Sequence, residues 1–188
     1  DITELLDQIS KASQKIEAVI KRVLDFSRSA EPQIKLDDVN SAVQAACSLA
    51  KSTLEKSSVK LTFNLDPDLP NFYIDKHLIE QVVLNLISNS VNAMSQQSNE
   101  KLISIETSRL ENDVTISISD TGPGIEDQIG EKVFEPFFTT GNHGTGVGLS
   151  ICQRIVTSHG GVIQMAESRS GGAQFNIRLP IEKRLIKR

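Results

Sequence analysis

The sequence contains no run of about eighteen consecutive apolar residues and no signal-peptide pattern, so nothing within these residues reads as a membrane span or an export signal. That exclusion does not extend to a longer parent that carries its own anchor. Cysteine is scarce. Cys47 and Cys152 form no CxxC pair and sit in apolar helical patterns, which reads as reduced core thiols in a cytoplasmic setting rather than a disulfide framework or a metal site. No basic stripe interleaves with aromatic residues, and at a net charge of -4 the chain is a poor candidate for binding nucleic acid. Internal repeats and low-complexity tracts are absent. What remains is a composition of 38% hydrophobic and 23% charged residues over 188 positions, enough for one well-cored domain plus an appendage.

The appendage comes first. Ile2, Ile9, Ile16 and Val23 recur every seventh residue, with Leu5, Ala12, Val19 and Phe26 between them, widened by Leu6 and Ile20. This predicts one long coiled-coil-like helix over residues 1–30 whose apolar stripe packs on other helices, with dimerisation through this stretch as the expectation. Ser29-Ala-Glu-Pro32 breaks the pattern, because a proline disfavours helix at the residue before it. A strand is expected from Gln33, with Ile34, Leu36 and Val39 alternating, and then a helix from Asn40 as N-cap to Lys56. Val59 to Leu65 alternates as a strand, Phe72 to Ile74 is a short extended piece, and Asp75 caps a helix reaching Met94 or Ser95. Strands beginning at Leu102 and Val114 flank a turn at Glu111-Asn-Asp113 and deliver Asp120 at a strand end. A helix from Gly146 to His159 and strands at 162–167 and 173–180, joined by a Ser170-Gly-Gly172 turn, close the pattern. Helices and strands mix without a repeating βα unit. The expected fold is α+β, a two-layer α/β sandwich with a mixed, mainly antiparallel sheet on about three helices, preceded by the long helix.

Three stretches carry chemistry. In the helix after Asp75, the residues Asn85, Asn89 and Asn92 are spaced i, i+4 and i+7, which puts three carboxamides on one face. Asparagine is a poor helix-interior residue, and a carboxamide offers an oxygen to a hard cation and N–H donors to phosphate. A solvated polar face is the plainer alternative. Asp120 precedes Thr121-Gly-Pro-Gly124-Ile, and an acceptor-only carboxylate there suits an exocyclic amino donor such as that of adenine, although a lone turn aspartate would look alike. Gly144-Thr-Gly146-Val-Gly148-Leu149 runs into a helix whose free N–H groups suit phosphate. It lacks the GK[ST] of a P-loop and the βαβ setting of a dinucleotide fingerprint.

Together these stretches resemble the catalytic and ATP-binding domain of sensor histidine kinases, within the ATPase family that includes gyrase B subunits and heat-shock chaperones. Asn85-Leu-Ile-Ser-Asn89 matches the family's asparagine motif and Asp120-Thr-Gly-Pro-Gly124 its first glycine motif. Phe134-Glu-Pro-Phe-Phe138 matches its phenylalanine motif and Gly144-Thr-Gly146-Val-Gly148-Leu its second glycine motif. The likeness covers about Gln33 to Pro180, and within the family it is nearest to the nitrogen-regulatory type. It implies a division into residues 1–30, the second helix of a dimerisation and histidine-phosphotransfer hairpin, residues 31–182, the ATP-binding domain, and a basic tail over 183–188. It implies ATP held by Asn85, Asn89, Asn92, Asp120, Gly122, Gly124, Ile125, Phe138, Thr139, Gly144, Thr145, Gly146, Val147, Gly148 and Leu149. Mg2+ would sit at Asn85 and Asn89, Asp120 would read the adenine amino group, and Phe134, Phe137 and Phe138 would anchor a mobile lid in the core or against partner helices.

The implied activity is transfer of the ATP γ-phosphoryl group to a histidine imidazole, and from there to an aspartate of a cognate response regulator in a bacterial phosphorelay. Water-using relatives carry a glutamate where Asn85 stands, so ATP hydrolysis is expected to be slow. The family's phosphoacceptor context, a histidine followed by an acid and later a proline, does not occur at His77, His143 or His159. The expectation is a chain without the first hairpin helix, unable to phosphorylate itself alone and making no direct membrane contact. No lysine lies near Asn92, and Glu135 to Gly148 contains neither Lys nor Arg to meet a γ-phosphate, leaving His143 or the outlying Lys132 as stand-ins. That predicts weak nucleotide affinity. Two other readings stand beside the kinase at this point: a nucleotide-binding and dimerisation fragment with no activity of its own, and a slow water-using ATPase.

Overall fold

The computed structural model describes Leu6 and residues 32–126, 129–139, 146–168 and 171–182. The expected seam helix and its dimer contact, the basic tail, Gly144, Thr145 and His143 lie outside the described residues.

The chain enters through a three-residue strand, β1 (Lys35–Asp37), shorter than the alternation of Ile34, Leu36 and Val39 suggests, because Val39 already opens helix α1 (Val39–Lys56). The N-cap is Asp38, not Asn40: the Asp38 carboxylate accepts from the Asn40 N–H at 2.8 Å. Asn40 has a different task. Its carboxamide donates to the Asp66 carbonyl and accepts from Thr107 Oγ1, each at 2.8 Å, tying α1 to the sheet. Strands β2 (Val59–Leu65) and β3 (Phe72–Ile74) follow, then helix α2 (Lys76–Ala93). The hairpin β4 (Lys101–Leu110) and β5 (Asp113–Asp120) turns through Glu111 and Asn112 alone, with Glu111 in a left-handed conformation at φ 54°. A 3-10 helix at Gly130–Phe134, unforeseen in the residue pattern, precedes helix α3 (Gly148–Ser158) and strands β6 (Val162–Glu167) and β7 (Ala173–Pro180).

Five strands make one sheet in the order β2-β4-β5-β7-β6, with β2 and β4 parallel and the other neighbours antiparallel, so the sheet is mixed and mainly antiparallel as expected. β1 and β3 pair separately as an antiparallel ribbon. The helices form the second layer, with α2 between α1 and α3. Burial follows the periodicities of the residues. Ala42, Val43, Ala46, Ala50 and Leu54 seat α1, and Ile79, Val82, Val83, Leu86, Ile87 and Val91 seat α2. In β5, Val114, Ile116 and Ile118 face the helices at every second position. The next residue on that face is Asp120, so the strand's own alternation carries a carboxylate into the helix–sheet interior.

The start of α2 is tied to two distant segments. Asp75 Oδ1 caps the helix by accepting from the His77 and Leu78 N–H groups, while Oδ2 accepts from the Gln33 N–H at 2.7 Å. The Asp75 N–H donates to His159 Nε2 at 2.9 Å, and His159 Nδ1 lies 2.8 Å from the Ile155 carbonyl. Accepting at Nε2 and donating at Nδ1, His159 is neutral, and burial holds its pKa below 6.5.

Candidate nucleotide site

The second half of α2 forms one wall of the site. Asn85 and Asn89 are half-buried, whereas Asn92, in the last turn, is exposed. Asn85 lies beside the thiol of Cys152 on α3, and that thiol lies 3.8 Å from the Val82 carbonyl, to which it donates. Burial pushes the Cys152 pKa up to about 12, so the sulfur stays protonated and serves as a fixed polar neighbour for Asn85. Asn89 faces the start of α3: an ideal Cβ on Gly148 would lie 3.8 Å from Asn89 Oδ1 and 3.9 Å from Nδ2. The first residues of α3 and the Asn89 carboxamide thus share one corner, where helix N–H groups and a side-chain amide converge.

The other end of the wall is built around Asp120, which is 4% exposed. Oδ1 accepts from the Gly122 N–H at 2.9 Å and the Ala173 N–H at 3.2 Å. Oδ2 accepts from Ser90 Oγ at 2.7 Å. No Lys or Arg among the described residues forms an ion pair with it. Gly122 packs on the end of α2, where its Cβ would lie 3.4 Å from Met94 Cγ. Gly124, at φ +76°, rests against the Gly171 and Gly172 carbonyls. Gly172 is the tightest position. A Cβ there would strike the Asp120 carbonyl oxygen and come within 2.5 Å of Oδ1. Asn89 and Met94 are five residues apart on α2, about 7.5 Å along the axis, which sets the scale separating the two ends.

Ile125 and Phe138 are half-buried, Thr139 is exposed, Val147 is buried and Leu149 is half-buried. The second glycine cluster enters its helix at Gly148 rather than Gly146. Gly146 sits at φ +65°, outside the helical region, and its carbonyl accepts from the Phe137 N–H at 2.9 Å. A Cβ on Gly146 would lie 2.6 Å from both the Phe137 and Phe138 carbonyl oxygens, so the two flanks of the lid close on each other only with glycine there. The three phenylalanines have different placements. Phe134 is buried and meets Phe175 edge-on, with centroids 6.3 Å apart. Phe138 packs at the core margin, and Phe137 is 68% exposed. Lys132 is exposed on the 3-10 helix.

Ser90, Gly172 and the Ala173 N–H contact Asp120, and Cys152 lies beside Asn85, although motif spacing picks out none of them. Ser90 had a readable signal: it lies four residues after Leu86 on the buried face of α2, where an apolar residue is the default. Gly172 and Ala173 had none, since they lie at the β6–β7 turn and the first residue of β7, more than fifty residues beyond Asp120.

The family model for histidine kinase-, DNA gyrase B- and HSP90-like ATPases matches residues 74–183. The sensor protein FixL of Bradyrhizobium diazoefficiens is 31% identical over 179 residues, covering 95% of this chain and 35% of FixL. The signal transduction histidine-protein kinase AtoS of Escherichia coli is 34% identical over 178 residues, 95% of this chain and 29% of AtoS. The chain therefore spans about a third of the length of these curated relatives. Among solved structures, the nucleotide-free catalytic domain of histidine kinase ThkA superposes with a TM-score of 0.71 at 30% identity, over 79% of this chain and 98% of that one. ThkA in complex with the response regulator protein TrrA superposes at 0.80 and 26% identity, over 97% of this chain and 52% of that one. A family match over more than half of the sequence, on a sheet and three helices that bring the asparagine helix against Asp120, places the chain in the histidine kinase-, DNA gyrase B- and HSP90-like ATPase family, as the ATP-binding catalytic domain of a two-component sensor histidine kinase.

Proposed function

We propose that this chain binds ATP with adenine at Asp120 and the phosphates between Asn89 and the start of α3, and passes the γ-phosphoryl group to a histidine imidazole carried outside these residues. The observation that carries the adenine end is the buried Asp120 carboxylate, whose Oδ1 accepts from two N–H donors while Oδ2 accepts from one donor among the described residues. A free lone pair at the end of β5 is an acceptor for the adenine amino group. Gly122 and Gly124 let their turn pack on the end of α2 and on the Gly171 and Gly172 carbonyls, and so would set the turn beside the base and ribose, with Ile125 next to them. Gly144, Gly146 and Gly148 shape the lid's end and present N–H groups to phosphate, flanked by Thr145, Val147 and Leu149. Phe138 and Thr139 border the lid on the other side.

Mg2+ fits the donor set. Among the described residues no three His, Cys, Asp or Glu side chains cluster as a metal site, so a cation here would be held by neutral carboxamide oxygens and by the substrate's own phosphates, a combination that suits Mg2+. The thiol proton of Cys152 goes to the Val82 carbonyl and so does not compete for Asn85 Oδ1, which would face the ion, with Asn89 completing the pair. When bound, Mg2+ neutralises charge on the phosphates. In the transfer a neutral imidazole nitrogen forms a bond to Pγ as the bond from Pγ to the bridging oxygen breaks, ADP keeps that electron pair, and the imidazolium proton passes to solvent. Asn85 cannot accept a proton from water, which favours transfer over hydrolysis.

On this reading, residues 1–30 are the second helix of the dimerisation and phosphotransfer hairpin of a nitrogen-regulatory type of kinase, residues 31–182 the catalytic domain, and a cognate response regulator the final acceptor. The solved relative captured with its regulator supports that last step. The test is incubation with γ-labelled ATP and Mg2+, alone and with a separate polypeptide bearing the acceptor hairpin. Label on histidine only in the second case is expected. Release of free phosphate at the same rate in both, with no labelled histidine, would favour the ATPase reading.

A further inference from the structure

We infer that Ser90 is a positioning residue that sets the preference of the site for a purine bearing a 6-amino group. The inference rests on the reading of Asp120 as the adenine contact and deepens it. Ser90 is 3% exposed and lies on the core face of α2, yet its hydroxyl reaches across to β5 and donates to Asp120 Oδ2 at 2.7 Å. That length is typical of a charge-assisted O–H···O⁻ bond.

A carboxylate has about four lone-pair positions. The Gly122 and Ala173 N–H groups occupy those of Oδ1, and Ser90 takes one of Oδ2. Among the described residues no donor takes the fourth position, so the place where a ligand N–H can bind is fixed by these three donors. The two backbone donors come from the strand end and from the β6–β7 turn, and both act on the same oxygen. They pin Oδ1 but leave rotation of the carboxylate about its bond to Cβ opposed only at one end. Ser90 supplies the restraint on the other oxygen. It also keeps Oδ2 supplied with a donor, so that the group enters ligand binding as an oriented acceptor.

A 6-amino group donates to the remaining lone pair. A 6-oxo group would place an acceptor against it, and a purine with hydrogen at position 6 would make no bond. Removing the Ser90 hydroxyl loosens Oδ2, and the loss falls on the amino contact alone. Contacts to the phosphates, on Asn89 and the start of α3, stay as they were.

The experiment is a calorimetric titration of the 188-residue chain and its Ser90→Ala and Ser90→Cys variants with two probes, ATP and purine riboside 5′-triphosphate, both with Mg2+. The readout is the ratio of the two dissociation constants for each protein, which does not depend on the fraction of chain that is folded. The parent is expected to favour ATP, Ser90→Ala to lose on the order of five- to tenfold of that preference, and Ser90→Cys, a weaker donor of similar shape, to fall between. A parent that prefers ATP alongside a Ser90→Ala variant with the same ratio overturns the role of Ser90 and leaves the Asp120 reading standing. A parent that binds the two probes equally overturns the Asp120 reading, and the inference with it.

Discussion

Replacing Gly172 by alanine puts a methyl group 2.5 Å from Asp120 Oδ1 and closer still to the Asp120 carbonyl oxygen. Neither neighbour can swing aside: one is backbone, and the other is held by the Gly122 and Ala173 N–H groups. The β6–β7 turn must therefore back away, at the ~1–3 kcal/mol typical of overpacking. As it does so it carries the Ala173 N–H off the carboxylate, and a lost hydrogen bond to a charged group costs about 1.5–3 kcal/mol. The two effects together predict a destabilisation of about 3–5 kcal/mol, or a melting point lower by about 10 °C for a domain of this size. The adjacent glycine is the control. Gly171 sits at φ +88° with nothing within 4 Å of its would-be Cβ, so Gly171→Ala carries only backbone strain, about 1–2 kcal/mol. Thermal melts and ATP titrations of both variants test the reasoning. Gly172→Ala should also lose ATP affinity by more than about tenfold, while Gly171→Ala binds as the parent does. Equal melting points, or a Gly172→Ala variant with undiminished ATP affinity, would refute it.

Stability should fall in mild acid through His159. Its folded-state pKa lies below 6.5 because burial disfavours the imidazolium, so the unfolded chain takes up the proton first. The contribution is complete above the unfolded value and is lost as pH drops through the lower folded one; urea midpoints against pH should show that slope, and His159→Gln should flatten it. Phe134→Ala removes a buried ring packed on Phe175 and should cost about 3–5 kcal/mol in the same assay. Phe137→Ala, at an exposed position, should stay within about 0.5 kcal/mol of the parent. Alkylation at pH 8, read by mass spectrometry, should leave Cys152 untouched in the folded chain, label half-buried Cys47 slowly, and modify both in denaturant.

Most elements were readable because their signals are local. The alternation Val114, Ile116, Ile118 named both the strand and the face on which Asp120 would arrive, and Asp75 announced α2 by its place before an apolar helical run. Errors of one or two residues arose where two groups of similar chemistry competed. Asp38 capped α1 because the side chain of Asn40 was already engaged by Asp66 and Thr107, partners that no local window contains. Gly146 was excluded from α3 by its bond to Phe137 on the far side of the lid. The 3-10 helix at Gly130–Phe134 has too few residues for a period to emerge. For the site, the residues that would touch nucleotide stood out by composition: three asparagines in a helix, an aspartate before a glycine turn. Those that hold them did not, because Ser90 meets Asp120 across thirty residues and His159 meets Asp75 across eighty-four. Such pairings are set by tertiary packing alone.

The account stands most directly on a calorimetric titration of the parent chain and its Asp120→Asn variant with ATP and Mg2+. Asparagine keeps the size of the side chain and replaces one acceptor oxygen with a donor, which at the Oδ2 position faces the adenine amino group and at the Oδ1 position faces the Gly122 and Ala173 N–H groups. The prediction is saturable binding by the parent, weakened on the order of tenfold or more in the variant, with both chains folded. Equal affinities, or a folded parent that binds no ATP, would contradict it.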